Sequence, residues 1–277
     1  MIPDSALVDE VRPSPNINLR RVPIGPQMLI LHYTGMGSGE AAVRWLEDPA
    51  SEVSCHYVVH EDGRIVQMVR EADRAWHAGA GSWQGVSDVN SLSVGIEIVN
   101  PGHAAGSPDF PDAQVDAVIR LSGEIVERHR IVPERVLGHS DIAPARKQDP
   151  GEKFPWSRLF AAGLGHFVTP ASFCDGALLR QGDEGLAVRD FQRRLAAYGY
   201  EVAPSGRFDD ATAVATAAFQ RHFRPALVDG VADVSTQRTL SRLIAALPAE
   251  RYCPRALKRL ACGDGDRAID IAGAVAD

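Results

Sequence analysis

Three short apolar runs constrain what this chain can fold into: Met28 to Leu31, Leu92 to Val99, and Val132 to Leu137. Runs of this length, bounded by turn or polar residues, read as strands buried within a sheet. The residues associated with them are of another kind. His32 follows the first run, Glu97 interrupts the second, and His139 follows the third after Gly138.

Around these runs the pattern alternates. Ala41 to Leu46 is helix-like and Cys55 to His60 is strand-like. Arg64 to Val69 reads as a strand paired with the latter through the turn Glu61-Asp62-Gly63. From Ala113 to Arg130 the apolar residues Val115, Val118, Ile119, Leu121, Ile125 and Val126 recur at helical spacing. Strands mixed with helices, and one hairpin, predict an α/β domain over residues 27–167 with a mixed central sheet flanked by helices. Residues 1–26, carrying Pro3, Pro13, Pro15, Pro23 and Pro26, predict an irregular surface arm with little chemistry.

A second, small three-helix domain is predicted over residues 172–247, where the sequence repeats. Phe191-Gln192-Arg193-Arg194-Leu195 recurs as Phe219-Gln220-Arg221-His222-Phe223. The unit Gly-x-x-Asp-x-x-Thr occurs at Gly206 to Thr212 and again at Gly230 to Thr236. In each unit the glycine suits a turn and the aspartate suits the cap of the next helix. Residues 248–277 read as a C-terminal helix and loose tail.

A net charge of −7 argues against a nucleic-acid partner held through phosphate contacts. No window approaches the roughly 20 apolar residues of a membrane span. The first residues lack the basic start and apolar core of a secretory signal, which predicts a cytoplasmic protein; the alternative is the periplasm or cell envelope. Cys55, Cys174, Cys253 and Cys262 have no ribbon or framework spacing and read as ordinary thiols, although Cys253 and Cys262 could pair in an oxidising compartment. No self-complementary apolar stripe is evident, so a monomer is expected.

The chemistry concentrates between His139 and Asp149. Pro144 and Pro150 forbid a regular helix through this segment, which is expected to be a rigid, non-helical loop at a strand end. If the strands before His32 and His139 are neighbours, both imidazoles emerge at one sheet edge and Asp149 returns to it. Two imidazoles and a carboxylate suit Zn(II) with a fourth position open to water, the pattern of a catalytic zinc. Glu97, a carboxylate inside an apolar run, is the candidate base, and Lys147 the candidate stabiliser of a developing oxyanion. Bland readings stay open beside these: a structural histidine at a strand end, a glutamate in a core ion pair, a solvated lysine.

The motifs resemble the type 2 N-acetylmuramoyl-L-alanine amidases, which share a fold with peptidoglycan-recognition proteins. The resemblance lies in Ile30-Leu31-His32-Tyr33-Thr34, Ser54-Cys55-His56-Tyr57-Val58-Val59, Ala75-Trp76-His77-Ala78-Gly79, Gly95-Ile96-Glu97-Ile98-Val99-Asn100, Gly138-His139-Ser140-Asp141-Ile142-Ala143-Pro144, Arg146-Lys147-Gln148-Asp149-Pro150-Gly151 and Phe154-Pro155-Trp156. It implies one zinc per chain on His32, His139 and Asp149, with Glu97 acting on the attacking water and Lys147 on the transition state. It also implies cleavage of the amide between N-acetylmuramic acid and L-alanine, in peptidoglycan or its muropeptides. Trp76, His77 and Asn100 are expected to contact substrate, and His56 and Tyr57 to pack beside the site. The second domain resembles a peptidoglycan-binding module. Relatives of this fold that lack a zinc ligand bind muropeptides without cutting them, so the alternative is a non-catalytic receptor or scaffold. Here all three ligand positions and both helper positions are filled.

Overall fold

In the computed structural model, which describes residues 1–248, the three runs supply adjacent parallel strands, although of Val132 to Leu137 only Val136 and Leu137 enter a strand, Pro133–Arg135 forming a 3-10 turn before it. Two short strands, β1 (Glu10–Val11) and β2 (Ile17–Leu19), open the chain. They are followed by β3 (Met28–Tyr33), α1 (Gly39–Glu47), β4 (Tyr57–Val59), β5 (Ile65–Gln67), β6 (Asp73–Ala75), the single turn α2 (Val89–Leu92), β7 (Ser93–Ile98), α3 (Asp112–His129), β8 (Val136–Gly138), the short α4 (His139–Ile142) and α5 (Trp156–Ala161). The strands form a six-stranded sheet in the order β1-β5-β4-β7-β3-β8, and β2 pairs with β6 in a separate antiparallel ribbon. All neighbours in the large sheet are parallel except the β4–β5 hairpin, which turns through Gly63 at φ +90°.

Strand β3, which lies inside the sheet next to the edge strand β8, is buried on both faces, which is why Met28 to Leu31 is apolar without alternation. On one face Leu29, Leu31, Ile96 and Ile98 meet Val118, Leu121 and Ile125 of α3. On the other, Val43 and Leu46 of α1 meet Val58, Val66 and Val99. Helix α1 starts where the Ser38 hydroxyl accepts from the Ala41 N–H. Helix α3 carries Asp112 in its first turn and Arg128 and His129 in its last, matching the helix dipole.

Two local expectations change. The N-terminal arm is not wholly irregular: β1 adds to the sheet edge at β5 and β2 pairs with β6, through segments too short to show a period of two. The segment after β8 is not wholly non-helical either. It opens with the turn α4, which Pro144 ends; Ala143, the residue before the proline, leaves the helical region at φ −140° and ψ 57°.

The second region contains α6 (Leu186–Tyr198), α7 (Asp210–Phe223) and α8 (Val234–Ala245). Asp209 and Asp233 cap α7 and α8, accepting from the N–H groups of Thr212 and Thr236 at 2.9 and 2.7 Å. The repeated glutamine has a matching task in each half. Gln192 accepts from the N–H of Gly206 and donates to the Arg207 carbonyl, while Gln220 accepts from the N–H of Gly230 and donates to the Val231 carbonyl.

These helices pack directly against the sheet domain, and Met1–Ala246 forms one compact unit. Trp83 is buried with its ring edge-on to Tyr198 and Tyr200, at centroid distances of 5.9 and 5.0 Å. A side chain at Gly199 would bring its Cβ within 2.5 Å of the indole. The expected helix and tail beyond residue 248, with Cys253 and Cys262, lie outside the described residues.

Candidate metal centre and active site

Strand register builds the site. In the parallel pair β3–β7, His32 stands opposite Glu97; in β3–β8, Leu31 stands opposite Gly138, so His139 emerges beside His32. The site therefore lies at the carboxyl ends of adjoining parallel strands, where α/β sheets commonly bind ligands. Asp149 completes a buried group. His32 Nδ1 and His139 Nδ1 are 2.9 Å apart, and Asp149 Oδ2 lies 3.1 and 3.0 Å from them.

The surrounding hydrogen bonds fix which nitrogens carry protons. The Ser93 hydroxyl donates to the Val89 carbonyl at 2.7 Å, so at 3.1 Å it accepts from His77 Nε2. His77 Nδ1 is then an acceptor and takes the proton of His32 Nε2 at 2.9 Å, leaving a lone pair on His32 Nδ1. His139 Nε2 donates to the Ala78 carbonyl at 2.9 Å, which leaves a lone pair on His139 Nδ1 as well.

Burial, reinforced by His139, pushes the His32 pKa down to about 4, so the neutral imidazole is the working form. Burial would raise the Asp149 pKa, but the charge and hydrogen bonds that His139 and then His32 supply when protonated lower it. With both imidazoles neutral in these tautomers, two nitrogen lone pairs and the Asp149 carboxyl group face one point. That arrangement is repulsive by itself and fits a cation. His32, His139 and Asp149 offer ligand atoms within 4.8 Å of one another, a set that could hold a metal ion.

Glu97 borders this group. Its Oε2 is sealed from solvent and has no hydrogen-bond partner. Burial, then the Asp149 charge, raises its pKa well above the usual carboxylate range, and Lys147 opposes the shift. A carboxyl so placed takes up a proton more readily than a solvated one.

The ligand group opens into a cavity of about 510 Å³. His77, Glu97, His139, Lys147 and Asp149 line it, together with Trp76, whose indole N–H donates to Asn18 Oδ1 at 2.6 Å. His77 is buried behind His32 and bonded to it, and Gly95 makes room for its ring: a Cβ there would lie 2.5 Å from it. Asn100 is not brought to the cavity lining. Its amide donates to the Pro108 carbonyl and its oxygen accepts from the Gly102 N–H, so the side chain holds the following loop. His56 is buried beside His77, with ring centroids 5.6 Å apart, and the Tyr57 hydroxyl donates to Glu71.

Sequence reasoning passed over other lining residues, among them Trp45, Met36 and Arg146. Trp45 had a usable signal: it is a large aromatic between the buried positions Val43 and Leu46 of α1, yet it is half exposed. Arg146 follows the α4 segment and donates to the Ala78 and Ala80 carbonyls, bracing the loop that His139 also contacts.

Metallohydrolases have this layout: a ligand set with room left for water, beside a carboxylate held ready for a proton. Comparison with known proteins narrows the class. The family model of N-acetylmuramoyl-L-alanine amidase matches residues 21–152, and that of a peptidoglycan binding domain matches residues 184–240. The N-acetylmuramoyl-L-alanine amidase AmiD of Escherichia coli is 36% identical over 230 residues, covering 79% of this chain and 82% of that protein. The 1,6-anhydro-N-acetylmuramyl-L-alanine amidase AmpD of Citrobacter freundii is 32% identical, covering 62% of this chain and 97% of its own length. The chain belongs to the N-acetylmuramoyl-L-alanine amidase family.

Solved structures agree. E. coli AmiD in complex with anhydro-N-acetylmuramic acid-L-Ala-D-gamma-Glu-L-Lys superposes with a TM-score of 0.68 at 34% identity, covering 81% of this chain and 90% of that one. AmpDH3 from Pseudomonas aeruginosa gives 0.66 at 34% identity, covering 82% and 95%. No helix among the described residues is long and apolar enough to cross a membrane.

Proposed function

We propose that this chain hydrolyses the amide bond between the lactyl group of N-acetylmuramic acid and L-alanine, in peptidoglycan or its soluble fragments, with one zinc ion held by His32, His139 and Asp149. The observation that carries the reading is the meeting of His32 Nδ1, His139 Nδ1 and Asp149 Oδ2 at one buried point. When bound, zinc lowers the pKa of water to roughly 7 and polarises a carbonyl. The remaining work falls to the chain. Glu97, which lines the cavity and whose pKa is raised, takes the proton of the attacking water and can pass it to the departing amide nitrogen. Lys147 presents its ammonium group to the oxyanion that develops on the carbonyl. Trp76 and Trp45 give the cavity flat apolar walls for the sugar or stem peptide.

Relatives named for, or solved with, anhydromuramyl compounds favour soluble muropeptides as substrates. The match of residues 184–240 to a peptidoglycan binding domain favours the polymer. Incubating the zinc-loaded chain with intact sacculi and, separately, with an anhydro-muropeptide tests both. The expected product is a free stem peptide with an L-alanine N-terminus, detected by mass spectrometry and abolished by chelation. Full activity in a metal-free chain, or cleavage at another bond, would overturn the reading.

A further inference from the structure

His139 and Asp141 stand two residues apart in α4, and the helical turn sends them in different directions. His139 faces the ligand group. Asp141 is buried against the helical module and makes three hydrogen bonds with its two oxygens. Oδ1 accepts from the Tyr200 hydroxyl at 2.6 Å; Oδ2 accepts from His222 Nδ1 at 2.7 Å and from the Gly138 N–H at 2.8 Å. Tyr200 follows α6 and His222 lies on α7, so separate elements of the module converge on one carboxyl group of the sheet domain.

A second contact acts on the same turn. The His222 ring stacks on Trp156, with centroids 3.6 Å apart and planes inclined by 21°. Trp156 in turn lies against Gly138, where a Cβ would come within 3.3 Å of the indole and 2.8 Å of Pro150. The Ser140 N–H donates to the Asp149 carbonyl at 2.9 Å, joining the two ligand-bearing parts of the segment. The backbone that aims His139 is thereby gripped from the module side.

We infer that the helical module is part of the scaffold of the metal centre: Tyr200 and His222, acting through Asp141, fix the turn that directs His139 Nδ1 toward the ligand point. They are positioning residues whose hydrogen bonds go to Asp141 and not to the three ligand atoms. Hydrogen-bond partners outside the ligand set commonly govern metal affinity in this way. The inference rests on the zinc reading above.

The test measures zinc affinity of the full chain by chelator competition. Tyr200→Phe, which removes one oxygen, is expected to weaken zinc binding about tenfold and to regain turnover at saturating zinc. Asp141→Asn should weaken binding further. Phe191→Leu, a change at the buried ring that stacks on Phe208 within the module, should lower thermal stability while leaving zinc affinity unchanged. Wild-type affinity in Tyr200→Phe, or an equal loss in Phe191→Leu, would overturn the inference. A wild-type chain that binds no zinc would instead overturn the metal assignment on which it stands, so the two failures are distinct.

Discussion

Glu71 and Glu97 are both sunk into the sheet domain, and their surroundings are opposite. Glu71 accepts from the Tyr57 hydroxyl and Arg128 at 2.6 Å each and from His129 Nε2 at 2.5 Å. Burial works against its charge, but the bonds from His129, Tyr57 and Arg128 prevail and hold its pKa down to about 2. Glu97 has a buried oxygen with no partner, and its pKa moves the other way. A satisfied carboxylate joins β4, the β5–β6 turn and α3 into a stable body, whereas an unsatisfied one is a cost the fold tolerates where chemistry needs it.

The contrast can be broken most directly at Glu97. Glu97→Gln should lower turnover by about a thousandfold, the order expected for loss of a general base, while zinc stays bound and thermal stability holds or rises. Zinc content, turnover and melting temperature measured on one sample check this, and a large drop in melting temperature would place Glu97 with Glu71. Lys147→Ala comes next: turnover should fall on the order of a hundredfold without release of metal. Zinc loss in that variant would show Lys147 to be part of the ligand scaffold.

Glu71→Gln should leave turnover per folded molecule near wild type but reduce stability by about 3 kcal/mol at neutral pH, measured by urea unfolding. The sign follows from the depressed pKa. The stabilisation from Glu71 is fully present above the ordinary carboxylate value of 4.5 and is lost as pH falls toward about 2. The stability gap between wild type and Glu71→Gln should therefore close across that window. A gap that persists at pH 2 would mean that packing, not charge, sets the role of Glu71.

Features that depend on local pattern could be read from the chain. The strand end at His32 follows from a continuous apolar run, that before His139 from the shorter Val136-Leu137-Gly138, and the caps at Asp209 and Asp233 from a repeated spacing. Features set by side-chain direction across the fold could not. Motif adjacency put His77 near the cavity, but only the Ser93 and His32 contacts reveal that it fixes a tautomer. Asn100 sits at the end of the same apolar run as Glu97, yet it turns into its own loop. The glutamines of the module repeat were visible as letters, but their bonds to the Gly206 and Gly230 turns needed coordinates. Asp141 carries no signal of its role within its own motif, because its partners Tyr200 and His222 are 59 and 81 residues away in sequence.

Gly199 closes over the indole of Trp83 and locks the helices to the sheet domain. A binding domain on a slack linker samples many reaches and works by raising local concentration. Here the helices and the cleft share one core, so the span between them is constant. A ligand held by the helices would meet the cleft at one interval, as between the jaws of a calliper, rather than at the many reaches of a tether.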